Sequence, residues 1–424
     1  MATDHAQANA WLRQLLAEHS AESLHARLSA DHTPSDRRLP LNPRTLERLV
    51  ERRWQATGND SDARAQLLDD KTVADMGAYE ANIENFIGTV KLPVGLAGPL
   101  RVNGLFAQGD YHVPLATSEA ALVASYSRGA QLITAVGGCT AMVIDEGVSR
   151  APGFAFDNLR DAGEFVAWAL QSLDALRAAG EATTRHGRLR NLRVTIEGNH
   201  VYLNFEFSTG EASGQNMVTI ATEAICAYVM ANAPVTPRYH FVEANHSGDK
   251  KASAQSFIGV RGRKVTAEVH IPGEHVRKAL HTTPEAMVDY WRMSAMGGVM
   301  SGTIGVHGHY ANGLAALYIA CGQDAACVAE SAVGVTRFEQ TDTGLYAAVT
   351  LPNLMVGTIG GGTSLPSQNA CLRLLGLDGP GSAHALAEVA AALSLAGELS
   401  IIGALCSGHF SRAHEVLARV RNNT

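Results

Sequence analysis

A single carboxylate, Asp324, lies in a long run of the chain (293–329) that contains no other formally charged side chain. At helical spacing it falls on one stripe with apolar residues, which would place an acid on an apolar face. The residues of that stripe are Leu314, Leu317, Cys321 and Val328. A carboxylate removed from water is costly unless a cation or hydrogen-bond donors meet it. The alternative is that Gly322 ends one helix and Asp324 caps the next, because Asp is a favoured N-cap residue.

A candidate cation for this acid lies in the segment 245–253, where Lys250 and Lys251 are adjacent. A lysine pair is commonly a solvated surface patch, so the local sequence leaves both interpretations open. The histidines His307 and His309 could suggest a metal. However, no carboxylate or thiol stands at ligand spacing from them, and we predict no metal site.

The composition is that of a large folded protein. The 424-residue chain is 46% hydrophobic and 18% charged, which favours roughly two to three domains and a sizeable core. Its formal net charge of -7 argues against nucleic acid as a partner. Six cysteines show no CxxC spacing and lie mostly in apolar runs. They predict reduced thiols and a cytoplasmic location.

Two charge-free runs, 293–323 and 343–372, resemble membrane spans at first sight. Both are interrupted by Gly, Asn, Ser, Pro or His, whereas a span needs about 20 predominantly apolar residues in succession. The N-terminus is polar and shows no secretory signal. We therefore expect no contact with a membrane, and we expect these runs to be buried or to lie against a ligand.

The elements that position these residues divide the chain into three regions. Residues 1–80 are predicted to form a helical arm. Between 152 and 241 the predicted order is strand, helix, strand, strand, helix, strand, the ferredoxin-like pattern β-α-β-β-α-β. We predict that this region is a small domain inserted into a large mixed α/β domain made of residues 81–151 and 242–424. The predicted fold class is therefore α+β, with a long helix over 118–135 in the large domain.

Seven sequence blocks, taken in order, resemble the 3-hydroxy-3-methylglutaryl-CoA (HMG-CoA) reductase family. Each block is weak alone, but their shared order makes the resemblance specific from about residue 84 to residue 414. It is closer to the catalytic portion of the membrane-anchored class, without an anchor, than to the other bacterial class. The blocks are Glu84-Asn-Phe-Ile-Gly88, Pro93-Val-Gly-Leu-Ala-Gly-Pro99, Pro114-Leu-Ala-Thr-Ser-Glu119, Asp249-Lys-Lys251, Ile319-Ala-Cys-Gly-Gln-Asp-Ala-Ala326, Gly357-Thr-Ile-Gly-Gly-Gly-Thr363 and Gly397-Glu-Leu-Ser400.

The resemblance implies four catalytic residues, all of the family's types: Glu119, Lys250, Asp324 and His414. Reduction of a thioester to an alcohol builds an oxyanion twice, and Lys250 is expected to stabilise it. Glu119 is the expected general acid, a role that favours a carboxyl with a pKa raised by burial. Asp324 is expected to hold Lys250 charged and oriented, and His414 to protonate the leaving thiolate of coenzyme A.

The resemblance also implies NADPH as the cofactor and an acyl-CoA as the substrate. The segment 211–217 corresponds to the family's dinucleotide site, and 184–188 to its 2′-phosphate site. The cofactor residues implied are Arg185, Arg188, Glu211, Ser213, Gly214, Gln215, Asn216, Gly360, Gly361 and Thr363. The substrate residues implied are Ser125, Arg128, Arg150, Asn245, Asp249, Lys251, His309 and Asn312.

Three positions depart from the family pattern. Glu211 replaces the usual Asp, and Glu243 replaces a Ser that contacts the distal carboxylate of the substrate. The family's Lys upstream of the Gly-rich run is replaced, which leaves Arg292 as the nearby cation. Since two close carboxylates do not both ionise cheaply, Glu243 must be protonated, turned away, or paired with Arg150 or Arg292.

These implications predict an NADPH-dependent oxidoreductase that converts HMG-CoA to mevalonate for isoprenoid biosynthesis. The family builds its active site across a dimer, which implies a homodimer or a higher homo-oligomer. The alternatives are a reductase of a related acyl-CoA that lacks the usual recognition of the distal carboxylate, and a non-catalytic relative that binds coenzyme A or a nucleotide.

Overall fold

The computed structural model describes residues 4–35 and 38–408, which form two compact units. The first unit comprises the residues up to 74 together with 83–89, and the second comprises 75–82 and the residues from 90 onward. The helices of the first unit are α1 (His5–Glu18), α2 (Ala21–Leu28), α3 (Glu47–Ala56), α4 (Ser61–Leu67) and α5 (Asp70–Ala74).

The first unit is built around one face of α3. Leu49, Val50 and Trp54 are buried there at helical spacing. Arg53 lies on the same face, and three backbone carbonyls of the unit accept hydrogen bonds from its guanidinium at 2.9–3.1 Å. These acceptors compensate the burial of the charge. Within the described residues, neither α1 nor α2 buries a side chain.

The second unit contains the strands and the remaining helices. The strands are β1 (Val94–Gly104), β2 (Gln108–Ala116), β3 (Cys139–Arg150), β4 (Gly153–Ala155), β5 (Arg188–Glu197), β6 (His200–Ser208), β7 (Tyr239–Phe241), β8 (Gly262–Pro272), β9 (Val335–Gln340) and β10 (Gly344–Leu354). The helices are α6 (Leu122–Ala135), α7 (Leu159–Gln171), α8 (Leu173–Glu181), α9 (Gln215–Asn232), α10 (Gln255–Ile258), α11 (Gly273–Leu280), α12 (Pro284–Ser301), α13 (Tyr310–Ala320), α14 (Val328–Ser331), α15 (Pro366–Leu375) and α16 (Ser382–Cys406).

In the described part of the chain the strands form one sheet. Its order is β7-β4-β6-β3-β8-β10-β9, with β5 beside β6, and β1 beside both β2 and β3. The β1–β3 pair is parallel and the other pairs are antiparallel. This mixture of helices with a large, mostly antiparallel sheet confirms the predicted fold class.

One strand joins the predicted large domain to the predicted insertion. Residues 140–147 of β3 pair with β8, and its last three residues pair with β6. Between 152 and 241 the elements follow the order β4, α7, α8, β5, β6, α9, β7, so two helices stand where one was predicted after the first strand. Because the sheet is continuous through β3, the division into domains stays a prediction.

Helix α16 forms the centre of the second unit. It is long and apolar enough to cross a membrane, but 83% of its most apolar stretch is buried inside the structure, as in a core helix. It packs closely on α6, where a Cβ atom on Gly129 would come within 1.9 Å of the carbonyl oxygen of Ala396. A glycine at this position therefore allows the two helices to approach.

Candidate active site

Lys250 and Asp324 form an ion pair. The Nζ atom of Lys250 lies 2.9 Å from a carboxylate oxygen of Asp324, and each side chain is about two-fifths exposed (42% and 40%). The hydrogen bond to Asp324 raises the pKa of Lys250, which therefore stays charged at neutral pH. Exposed pairs of this kind add little to folding stability. The pair orients an ammonium group rather than holding the fold together.

The structure decides between the two interpretations of Asp324. Helix α13 ends at Ala320, so the predicted apolar helical stripe through residue 324 is wrong. Gly322 turns the chain with a φ of +67°, and a Cβ atom there would lie 2.3 Å from the carbonyl oxygen of Gly362. Asp324 is the N-cap of a short 3-10 helix and accepts a hydrogen bond from the Ala326 N–H at 3.0 Å. The N-cap alternative is confirmed, and the cap still leaves an oxygen for Lys250.

Two predicted substrate residues, Arg150 and Asp249, are bonded to each other beside this pair. Their closest contact is 2.8 Å, and the Arg150 side chain is only 7% exposed. Burial would raise the pKa of Asp249, but the charges of Arg261 and Arg150 outweigh it and hold the pKa below its ordinary value. Arg150 also donates to Thr219 on α9 at 2.8 Å, which links this cluster to the predicted cofactor region.

Glu243 lies in the same cluster. One of its oxygens lies 3.4 Å from an Arg150 nitrogen and accepts a hydrogen bond from the Ser247 hydroxyl at 2.9 Å. Its other oxygen is buried without a partner among the described residues. Arg292 instead pairs with Asp289 on the exposed side of α12. Glu243 therefore pairs with Arg150, and the Arg150 guanidinium is shared between Glu243 and Asp249.

Glu119 lies outside the helix predicted for it. Helix α6 starts at Leu122, because Ala121 adopts a left-handed conformation with a φ of +68° and breaks the predicted 118–135 helix. Glu119 is on the turn before α6 and is exposed in the single chain, contrary to the expectation of burial. Its carboxylate accepts a hydrogen bond from the Asn312 amide at 3.4 Å.

Several predicted substrate residues line one cavity of about 590 Å³. This volume is in the usual range for small-molecule sites. Helices α6, α12, α13 and α16, together with the turns before α6 and α13, supply its walls. The predicted residues that line it are Glu119, Ser125, Arg128, His309 and Asn312. Asn245 and Lys251 are exposed in the loop that bears Lys250.

The block Gly397-Glu-Leu-Ser400 explains how this cavity is held. Ser400 accepts hydrogen bonds from Arg128 and contacts the Ser125 hydroxyl at 2.8 Å. Glu398 is fully buried and accepts the backbone N–H groups of Gly308 and His309 at 2.7 and 2.9 Å. Burial alone would raise the pKa of Glu398, but the imidazole side chain of His309, followed by the two backbone N–H groups, lowers it. The family resemblance singled out this block, but the sequence did not predict that it holds the residues lining the cavity.

The two predicted cofactor segments lie against each other. The Thr358 N–H donates to the Glu211 carbonyl at 3.0 Å, and a Cβ atom on Gly357 would meet the Ser213 nitrogen at 2.6 Å. Gln323 exchanges two hydrogen bonds with Gly357, at 2.8 and 2.9 Å. The turn that carries Asp324 is therefore adjacent to both segments. Helix α9 begins after Gly214, and no described side chain caps its first N–H groups.

The remaining predicted residues take varied positions. Gly360 and Gly361 have positive φ values, and the Thr363 hydroxyl donates to the Gly360 carbonyl at 2.8 Å. Arg185 is exposed on a turn, and Arg188 opens β5 with its guanidinium 3.9 Å from Glu181. His414, the fourth predicted catalytic residue, lies outside the described residues.

Sequence reasoning missed two charged residues next to Lys250. Arg261 is 3% exposed and pairs with Glu330, which is fully buried, at 2.6 Å. Burial would lower the pKa of Arg261, but Glu330 and Asp249 raise it. One signal was available, since Glu330 follows Asp324 by a short, otherwise uncharged stretch. Its partner is 69 residues away in sequence, so the pairing itself was not predictable.

Comparisons with solved structures support the fold. The chain resembles a class II HMG-CoA reductase from Streptococcus pneumoniae bound to NADPH, with a TM-score of 0.63 at 22% identity over 81% of this chain and 84% of that one. A second structure of the enzyme from that organism gives the same TM-score and identity, over 83% of this chain and 99% of that one.

Curated relatives are closer in sequence. The HMG-CoA reductase of Aeropyrum pernix is 45% identical over 80% of this chain and 82% of its own length. That of Methanothermobacter thermautotrophicus is 43% identical over 81% of this chain and 86% of its own. The family model for hydroxymethylglutaryl-coenzyme A reductase matches residues 49–419. The chain therefore belongs to the hydroxymethylglutaryl-coenzyme A reductase family.

Proposed function

We propose that this protein reduces (S)-HMG-CoA to mevalonate with NADPH. One thioester, two NADPH and two protons give one alcohol, two NADP⁺ and free coenzyme A. The observation that supports this most directly is the Lys250–Asp324 ion pair beside the segments 211–217 and 357–363. That arrangement puts a fixed ammonium next to the proposed dinucleotide site.

The residues of these segments fit a dinucleotide. The start of α9, an 18-residue helix that no described side chain caps, offers N–H groups to a pyrophosphate, and the adjacent glycines let a ligand approach the backbone. We propose that Arg185 and Arg188 bind a 2′-phosphate, for which a guanidinium is suited. When bound, NADPH supplies the two hydrides. The protein's part is to bind the acyl group, orient it and manage the charge and protons.

The charge develops on the acyl oxygen. Each hydride addition turns a carbonyl into an oxyanion, and we propose that the Nζ atom of Lys250 stabilises it both times. Loss of the C–S bond after the first addition gives an aldehyde and a thiolate, which we propose that His414 protonates. Glu119 then delivers the proton that the second addition requires.

We propose that a second copy of the chain completes each site. Glu119 is exposed in the single chain, whereas a general acid gains from burial, and a partner subunit would provide that cover. The Lys250 turn of one subunit would then meet the Glu119 of the other. The functional protein is accordingly a homodimer or a larger homo-oligomer.

Mixed subunits test this assembly. Glu119→Gln and Lys250→Ala proteins are each expected to be nearly inactive, but mixing and refolding them should restore up to about a quarter of the activity. The reason is that a mixed dimer has one site with both residues intact, and random pairing makes half of the dimers mixed. The measurement is NADPH oxidation after mixing, with each variant refolded alone as the control. A fully active monomer would contradict the proposal.

The Glu243 position provides a test of substrate recognition. If Glu243 lies beside the distal carboxylate, Glu243→Ser should lower the KM for HMG-CoA by at least about fivefold. Two unit charges about 4 Å apart repel by roughly 1 kcal/mol even in water, and Arg150 would no longer be shared. The KM for NADPH should not change. Glu243→Gln, which removes the charge but keeps the size, is the matched control, and an unchanged KM in both variants would place the distal carboxylate elsewhere.

The pairing of Glu243 with Arg150 also favours a second candidate, the reduction of an acyl-CoA without a distal carboxylate. The deciding assay follows NADPH oxidation with HMG-CoA beside 3-hydroxy-3-methylbutyryl-CoA, which lacks that group. Turnover of HMG-CoA alone supports the first proposal, whereas turnover of 3-hydroxy-3-methylbutyryl-CoA alone favours the second candidate. If NADPH is oxidised with neither substrate, a binding protein is favoured.

All six cysteines are free thiols, consistent with the cytoplasmic location that we propose.

A further inference from the structure

The backbone of Lys250 has an unusual conformation for a lysine. Its φ is +55°, in the left-handed region that favours glycine and asparagine. The residue occupies the third position of a tight turn, which the Lys251 N–H closes onto the Gly248 carbonyl at 3.1 Å. A positive φ at that position is usually supplied by Gly or Asn. Something outside the turn must therefore favour this conformation at Lys250.

A buried carboxylate meets the backbone of this residue. The Lys250 N–H donates to an oxygen of Glu330 at 3.2 Å, and Glu330 is fully buried on α14. Asp324 lies six residues earlier, at the start of the same short helical segment, and binds the Nζ atom of the same lysine. One segment, 324–331, thus holds Lys250 at both ends, the side chain through one acid and the main chain through another.

Arg261 makes this arrangement possible. Its guanidinium donates to the second oxygen of Glu330 at 2.6 Å, which compensates a charge that would otherwise be costly to bury. The same guanidinium donates to Asp249, the residue before Lys250, at 2.6 Å, and to the Ser149 carbonyl on β3. The buried Arg261 side chain therefore connects the turn that bears Lys250 to strand β3 of the sheet.

We infer that Glu330, with Arg261 as its counter-ion, is a positioning residue that holds the Lys250 main chain in the left-handed conformation and so aims the ammonium group at the reacting oxygen. The inference rests on the proposed function for its kinetic test alone. Glu330 does not contact the substrate in this scheme. Its effect is on the geometry of Lys250, where a misplacement of about 1 Å can cost on the order of 100-fold in rate.

The kinetic test compares two equally buried glutamates. Glu330→Gln should lower kcat by about 10- to 100-fold both for HMG-CoA and for mevaldehyde, the free aldehyde that the first hydride addition produces. Both reductions need Lys250, and neither KM should change much. Glu388→Gln is the matched control. Glu388 is also fully buried and accepts backbone N–H groups, but those of residues 105–107 and 143. Both variants should melt at lower temperature, and only the first should lose kcat at a temperature where both are folded.

A second measurement uses the wild-type protein, so it does not require Glu330→Gln to fold or the enzyme to be active. The chain has six lysines, so selective ¹⁵N-lysine labelling gives few backbone signals, and Lys250→Ala identifies the signal of interest. In the wild-type protein the Lys250 amide proton should exchange slowly, because it is bonded to a buried carboxylate. Fast exchange of that proton, or a kcat for Glu330→Gln within twofold of the Glu388→Gln control, would overturn the inference. A wild-type protein inactive on both substrates would instead refute the proposed function.

Discussion

Replacing Lys250 by alanine is expected to lower kcat by about 10²- to 10³-fold, with HMG-CoA and with free mevaldehyde alike. Loss of one preorganised donor to a developing oxyanion has that magnitude, and both hydride additions build an oxyanion. The ammonium is held 2.9 Å from Asp324 and stays charged at neutral pH, so it is available in both steps. The measurement is steady-state NADPH oxidation with each substrate.

Asp324→Asn is the companion variant. The Asn side-chain oxygen can still accept the hydrogen bond from the Ala326 N–H, so the N-cap is kept. The substitution removes only the negative charge that orients Lys250. Both reductions should therefore fall, though less than in Lys250→Ala, while the melting temperature changes little. A Lys250→Ala protein that still reduces mevaldehyde at the wild-type rate would show that another group stabilises the second oxyanion.

The His414→Gln variant is expected to separate the two half-reactions. Reduction of the thioester releases a thiolate, whose conjugate thiol has a pKa of about 8.5, and this thiolate can re-attack the aldehyde unless it is protonated. Loss of a general acid costs on the order of 10²- to 10⁴-fold, so the thioester reaction should fall by that factor. Mevaldehyde has no thiol to release and should be reduced at close to the wild-type rate.

Lys250→Ala is the control, since it is expected to lose both reactions whereas His414→Gln is expected to lose only one. An imidazolium suits this proton transfer near neutral pH. If His414→Gln abolishes mevaldehyde reduction as well, then His414 acts in hydride transfer or in binding, and the proposed release of coenzyme A needs a different proton donor.

The family resemblance and residue preferences predicted the geometry around Asp324, whereas helical periodicity misplaced two helix boundaries. The pairing of Lys250 with Asp324 followed from the family resemblance, and the N-cap role of Asp324 from residue preference. The extension of the helix through residue 324 was wrong because apolar periodicity continues across the Gly322 turn, and periodicity does not register a positive φ. Similarly, the helix predicted from 118 starts only at 122, beyond the left-handed Ala121.

The pairing of the buried charges was not predictable for a different reason. Arg261 and Glu330 are 69 residues apart in the chain, and the position of Glu330 shortly after Asp324 does not identify its partner. Their significance depends on the fold, which removes both from water and so requires that they meet. The exposure of Glu119 was not predictable from its own segment either, because solvent accessibility depends on which elements of the fold pack around a residue.

The central helix α16 also limits how this protein can change in length. Glu388 binds the turn at 105–107, Glu398 binds the turn at 308–309, and Ser400 binds Arg128, all from one continuous helix. One inserted residue between 388 and 398 would rotate one group of contacts by about 100° and shift it by about 1.5 Å relative to the other. Insertions and deletions are therefore tolerable in the surface connections but not within this helix, and a chimera of two reductases should keep α16 from a single parent.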